Sequence, residues 1–68
     1  MPRYWMLYKT TASSDKINQG CEDYLSEFDA RKEIKVKWPL LVLIDIRKGK
    51  EFTTREINKK KVALKYAQ

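Results

Sequence analysis

The sequence predicts a small α+β domain spanning residues 1–68, an antiparallel sheet of three to four strands with one amphipathic helix packed on a face. Three observations carry the prediction. Residues 3–10 alternate from side to side as a strand does. Ile17, Cys21, Tyr24, Leu25 and Phe28 recur at i, i+4, i+7, i+8 and i+11, the stripe of a 3.6-residue helical period. Leu40 to Ile46 is the most apolar stretch and is rich in β-branched residues. The predicted order is β-α-β-β-β, and the alternative β-α-β-β-α differs only in its last segment.

In the first strand Tyr4, Met6 and Tyr8 point one way and Trp5 and Leu7 the other, so both faces are apolar. The polar run Thr10, Thr11, Ser13 and Ser14 ends that pattern, and Ser14 or Asp15 is placed to cap a following helix. That helix is expected from Asp15 to Glu33, with Gly20 weakening its interior by about 1 kcal/mol. Ser26 with Asp29 supplies an alternative start for a shorter helix. Ile34, Val36 and Trp38 alternate with Lys35 and Lys37 as in a half-buried strand, which Pro39 interrupts.

Leu40 to Ile46 reads as the central strand, buried on both faces. Asp45 near its exit needs a cation, for which Arg47 and Arg55 are the candidates. Arg47-Lys48-Gly49-Lys50 forms a turn with Gly49 at a positive φ, and Glu51 to Ile57 returns as the partner strand. In the final segment Val62, Leu64 and Tyr66 share one face of a strand and Lys61, Ala63 and Lys65 the other, with Asn58-Lys59-Lys60 as the turn before it. The propensities of Lys, Ala and Leu, with Thr53 or Thr54 as cap, support the helical alternative. Trp5 and Trp38 are expected inside, and Cys21 on the helix's buried stripe.

Composition excludes several classes of function. With one cysteine and no histidine the chain has neither an internal disulfide nor a zinc site of the usual Cys/His type, and Cys21 has no base to activate it. Two glycines are too few for a glycine-rich phosphate loop, and the carboxylates form no known catalytic or metal-binding spacing. No catalytic residue, metal or cofactor is therefore expected, and the protein reads as a non-enzyme. The apolar start is too short for a signal peptide, and no run is long enough to cross a membrane, so the chain is expected in the cytoplasm or, in a eukaryote, the nucleus. A chain of this size buries only about 60% of its unfolded surface, so a homodimer or a bound partner is a natural source of further stability.

The charge is unevenly placed. Residues 1–46 carry seven cations and seven anions, whereas residues 47–68 carry eight cations (Arg47, Lys48, Lys50, Arg55, Lys59, Lys60, Lys61 and Lys65) against Glu51 and Glu56, so the whole net charge of +6 lies there. Such an asymmetry produces a basic face that meets a polyanion, because separated charges sum into a field. On the predicted meander Arg47, Lys48 and Lys50 occupy one hairpin tip and Lys59 to Lys61 the next, about 17–20 Å away, with Arg55 and Lys65 between them, spaced to follow a phosphate backbone. Tyr8 and Tyr66, beside Lys9 and Lys65, are the aromatics best placed to stack on a base. The competing reading makes the same lysines solvated charges that keep a small domain soluble.

The stretch Asp45-Ile46-Arg47-Lys48-Gly49-Lys50-Glu51-Phe52 resembles the β-hairpin of the arm-type DNA-binding domains at the start of tyrosine recombinases. Over those eight residues the resemblance implies a cationic hairpin of a sheet that enters the major groove, and it extends to no other part of the chain. The leading expectation is a small nucleic-acid-binding protein, of DNA or RNA, using phosphate contacts from Arg47, Lys48, Lys50, Arg55, Lys59, Lys60, Lys61 and Lys65, with Tyr66 beside them. The alternative is a small regulatory or inhibitory module, such as one from a phage or other mobile element, that acts on an acidic protein partner or by self-association.

Overall fold

In the computed structural model, which describes residues 1–66, the elements run β1 (Arg3–Lys9), β2 (Asn18–Asp23), α1 (Glu27–Lys37), β3 (Val42–Lys48) and α2 (Thr54–Tyr66). The protein is a small α+β domain with a three-stranded antiparallel sheet, as expected. The element order is β-β-α-β-α, which neither predicted order anticipated. The strands lie in the order β2-β1-β3, so β1 is central. Because β2 and β3 are both antiparallel to β1, they are parallel to each other, and α1 is the crossover that carries the chain from one edge to the other.

Strand β1 forms where alternation predicted it, and its two apolar faces are those of a strand flanked on both sides. Tyr4 and Met6 point to one face of the sheet, where they pack with Tyr24, Ile46 and the helix residues Ala30 and Ile34. Leu7, fully buried, points to the other face, and the chain after β3 brings the buried Phe52 there. The domain thus has two small apolar cores, one under each helix. Residues Leu40 to Ile46, expected as the central strand, contribute instead to the edge strand β3. Ile44 is the unpaired residue of a bulge there, since Leu7 pairs with Asp45 while Tyr8 pairs with Leu43.

The predicted helix from Asp15 to Glu33 is overturned. Its first half is the loop after β1 and strand β2, in which Gly20 lies opposite Met6 and beside the Tyr8 ring. Ser14 does accept a backbone N–H, that of Lys16 at 3.3 Å, but this closes a turn and caps nothing. The helix begins at the alternative start: the Ser26 hydroxyl accepts from Asp29 N–H at 3.2 Å, with Glu27 and Asp29 in the first turn and Lys35 and Lys37 in the last. The helical spacing of Ile17 to Phe28 was coincidental, because Leu25 and Phe28 are exposed and Cys21 is half-buried in β2. Ile34 and Val36, expected in a strand, belong to α1, and Trp38 is its C-terminal cap.

The C-terminal prediction is corrected in favour of the helical alternative. Gly49 has the anticipated positive φ of 79°, but Glu51 to Ile57 makes no return strand. Residues Asp45 to Phe52 are consequently no hairpin, and the two hairpin tips are absent. Thr53 caps α2 through a reciprocal pair: its hydroxyl accepts from Glu56 N–H at 3.2 Å, and its own N–H donates to Glu56 Oε1 at 3.1 Å. Trp5 is half-buried and Trp38 is 44% exposed, so the largest side chains lie outside both cores; Tyr4, Tyr24 and Phe52 fill them.

Candidate nucleic-acid interface

The two helices cover opposite faces of the sheet. Side chains alternate along β3, so Ile46 faces α1 while Asp45 and Arg47 face α2. Helix α2 has no buried residue and is held mainly by polar contacts. The first is an Arg47 clasp, in which the guanidinium donates to both Glu56 carboxylate oxygens, to the Lys50 carbonyl at 2.8 Å and to the Glu51 carbonyl. Arg47 also lies over the Phe52 ring, 4.2 Å from its centroid. Phe52 N–H donates to Gln19 Oε1 at 2.6 Å, tying this segment to the far edge strand β2. The second polar contact is Lys60 with Asp45, Nζ to Oδ2 at 3.3 Å. Asp45 therefore finds its cation on α2, and neither Arg47 nor Arg55 is its ion-pair partner.

These contacts sort the nine residues singled out from the sequence. Arg47 and Lys60 are engaged between the sheet and α2, Arg47 reaching from β3 and Lys60 from the helix. Ile57 and Leu64, with Lys60 between them, form the half-buried inner stripe of α2. Arg55, Lys59, Lys61 and Lys65 are exposed on the outer side and flank of the helix, with Tyr66, 81% exposed, at its end. None of these four cations has an ion-pair partner among the described residues. Thr54, Arg55, Asn58, Lys59 and Val62 border a shallow depression along that side. Lys50 is exposed in the loop that Arg47 clasps to the start of α2. Lys48, also exposed, ends β3 opposite Tyr4, on the α1 side by alternation. Tyr8 is half-buried on the α1 face, away from the α2 cations.

Charge on α2 is thus segregated. Its single acid, Glu56, and its inward lysine are neutralised by the sheet, which leaves four cations outside with no anion among them. Arg47 holds the Glu56 carboxyl far below the ordinary value of 4.5, at about 2, and the Thr53 N–H adds to the effect. The folded state favours the carboxylate, so this anchor of the first helical turn is fully present above pH 4.5 and is lost as the pH falls through about 2. A carboxyl NMR titration should give Glu56 a midpoint near 2 that moves up towards 4.5 in Arg47→Gln. An ordinary midpoint in the wild type would show that the clasp does not hold in solution.

The signal that the sequence reading missed was Thr53-x-x-Glu56. That spacing is a capping box, and it marks Thr54 as the first helical residue. Once 54–66 is helical, Arg55, Lys59, Val62 and Tyr66 fall at i, i+4, i+7 and i+11 on one side. No helix among the described residues is long and apolar enough to cross a membrane. In comparison with known proteins, the chain matches no family, no curated protein and no solved structure.

Proposed function

We propose that the protein binds nucleic acid through the outer side of α2, with Arg55, Lys59, Lys61 and Lys65 contacting phosphates and Lys50 extending the contact at the start of the helix. The observation that carries this reading is the segregation of charge on α2. Lysines placed only for solubility need no such sorting, whereas a phosphate-binding face does. Thirteen residues make a helix about 20 Å long, and a helix of ordinary diameter fits the major groove of a duplex. Asn58 and Arg55 carry the donors that read base edges in such a groove, and Tyr66 offers a ring to an unpaired base. Arg47 and Lys60, expected among the phosphate contacts, act instead as supports that hold the helix on the sheet.

The test is a fluorescence-anisotropy titration against duplex and single-stranded oligonucleotides over a range of salt. The four helix contacts should give a log–log salt slope of about −3.5 on duplex DNA and about −3 on a single strand, steepening to about −4.5 and −3.5 with Lys50 engaged. Absence of binding to either at low salt overturns the reading.

A further inference from the structure

We propose that the protein self-associates across a two-fold axis, with Leu25 and Phe28 of each copy seated in an apolar groove at the other end of the partner's α1. The groove has a volume of about 580 Å³. Its floor is Met6, Tyr8 and Gly20, and its wall is Ile34, Trp38 and Leu41. It exists because Gly20 offers no side chain where Tyr8 and Met6 would otherwise be covered, and because the helix ends at Trp38. Leu40 on its lip is 75% exposed and Trp38 is 44% exposed. A small molecule within the groove would leave that lip wet, whereas a second chain laid across it would cover both.

The rim defines the chemistry of the occupant. Lys37 lies at the groove, its Nζ 5.8 Å from the centroid of the Trp38 ring, and it has no ion-pair partner among the described residues. The groove's one acid, Glu22, accepts the Tyr24 hydroxyl at 2.6 Å. Lys35 stands in the same last turn as Lys37. The matching occupant is a segment with bulky apolar side chains between carboxylates, and the chain carries one. Leu25 and Phe28 are 71% and 75% exposed, at the start of α1, beside Asp29 and beside Asp23 and Glu27, whose exposed pairs with Arg3 and Arg31 are open to exchange. Nothing in the fold uses these two side chains.

The placement suits a closed pair. Phe28 and Lys37 stand nine residues apart on α1, about 14 Å along its axis, so the anchor and the groove lie at opposite ends of one helix. Two copies with antiparallel α1 helices bring each acidic, apolar start to the other's basic, grooved end. The same contact is then made twice, as an isologous interface requires. Antiparallel packing also sets the positive start of one helix dipole beside the negative end of the other. The α2 faces lie across the sheet from this interface and remain open in both copies, so self-association does not depend on the nucleic-acid reading.

Analytical ultracentrifugation tests the proposal. The wild type should dimerise, and Phe28→Ser or Gly20→Val should weaken the dimer at least tenfold. Phe28 is exposed, Gly20 has no positive φ, and a Cβ at position 20 would meet the Tyr8 ring at 3.5 Å, an ordinary contact, so neither position demands its native residue for backbone reasons. Leu40→Asp, on the exposed lip, is a further variant with the same expected loss, and the thermal melt of each shows that it is folded. The decisive measurement mixes Phe28→Ser with Gly20→Val. The Gly20→Val copy keeps its anchor and the Phe28→Ser copy keeps its groove, so the mixture regains one of two contacts and should associate more tightly than either variant alone. A wild type that stays monomeric at millimolar concentration, variants that dimerise as well as it does, or a mixture no tighter than its components would each overturn the proposal.

Discussion

Leu7→Ala is expected to destabilise the protein by about 2–5 kcal/mol. Leu7 is the one large side chain among the described residues with no exposed surface, and it sits in the central strand between Gln19 of β2 and Asp45 of β3. On its face of the sheet the other deeply buried apolar side chain is Phe52, at 4% exposure. Truncating Leu7 therefore removes buried apolar surface and leaves a cavity that α2, held to this face mainly by polar contacts, does not close. Domains of this size have margins near the bottom of the 5–15 kcal/mol range, so the variant should melt at least about 10 °C below the wild type. Val62→Ala, at a position 54% exposed, should stay within about 0.5 kcal/mol. Urea melts of the two variants measure both. A Leu7→Ala cost below about 1 kcal/mol would mean that the α2 face of the sheet is not packed in solution.

The contrast between Leu7 and the rest of the chain explains how much of the fold was legible. Strand β1 was readable because its signal is local: Tyr4, Met6, Trp5 and Leu7 make both faces apolar, which is what a central strand needs. The same physics was misapplied to Leu40–Ile46. Its apolar run resembles a strand buried on both faces, yet as β3 it lies at an edge, with part of that run lining a groove. Position within a sheet is a tertiary property, and composition alone does not report it.

The helices illustrate a second limit. Periodicity over Ile17 to Phe28 favoured a helix, but Gly20 in its middle and Ser26 with Asp29 near its end were the stronger signals, since each acts on the backbone directly. In α2 periodicity failed again, because its half-buried inner stripe holds only Ile57 and Leu64 with Lys60 between them, too little to show as an apolar period. The capping box was the signal that marks it: the Thr53 hydroxyl accepts the Glu56 N–H, and the Glu56 carboxylate accepts the Thr53 N–H. The candidate site followed the same division. That the cations of 47–68 concentrate in one part of the chain was visible in the sequence; that Arg47 and Lys60 turn inward required the partners Glu56 and Asp45 to be seen in place.

Replacing Arg55, Lys59, Lys61 and Lys65 together by glutamine should remove most of the salt dependence of nucleic-acid binding, leaving at most the share of Lys50, and most of the affinity with it. Four phosphate contacts on duplex DNA imply that the wild type loses about a hundredfold in affinity between about 50 and 200 mM salt, while a variant without them has little left to lose. Glutamine retains helix propensity close to that of lysine and arginine, and all four positions are exposed, so α2 should remain formed. Lys60→Gln is the control within the same helix. It removes one charge but leaves the outer cations untouched, so the salt slope should be unchanged while the hold of Asp45 on α2 is lost. Tyr66→Ala then separates the two kinds of target. A stacked base is worth about 1–3 kcal/mol, so single-strand affinity should fall and duplex affinity should hold if Tyr66 stacks. If the fourfold variant binds as the wild type does, with the same slope, the phosphates are met by another surface and the segregation of charge on α2 has no part in binding.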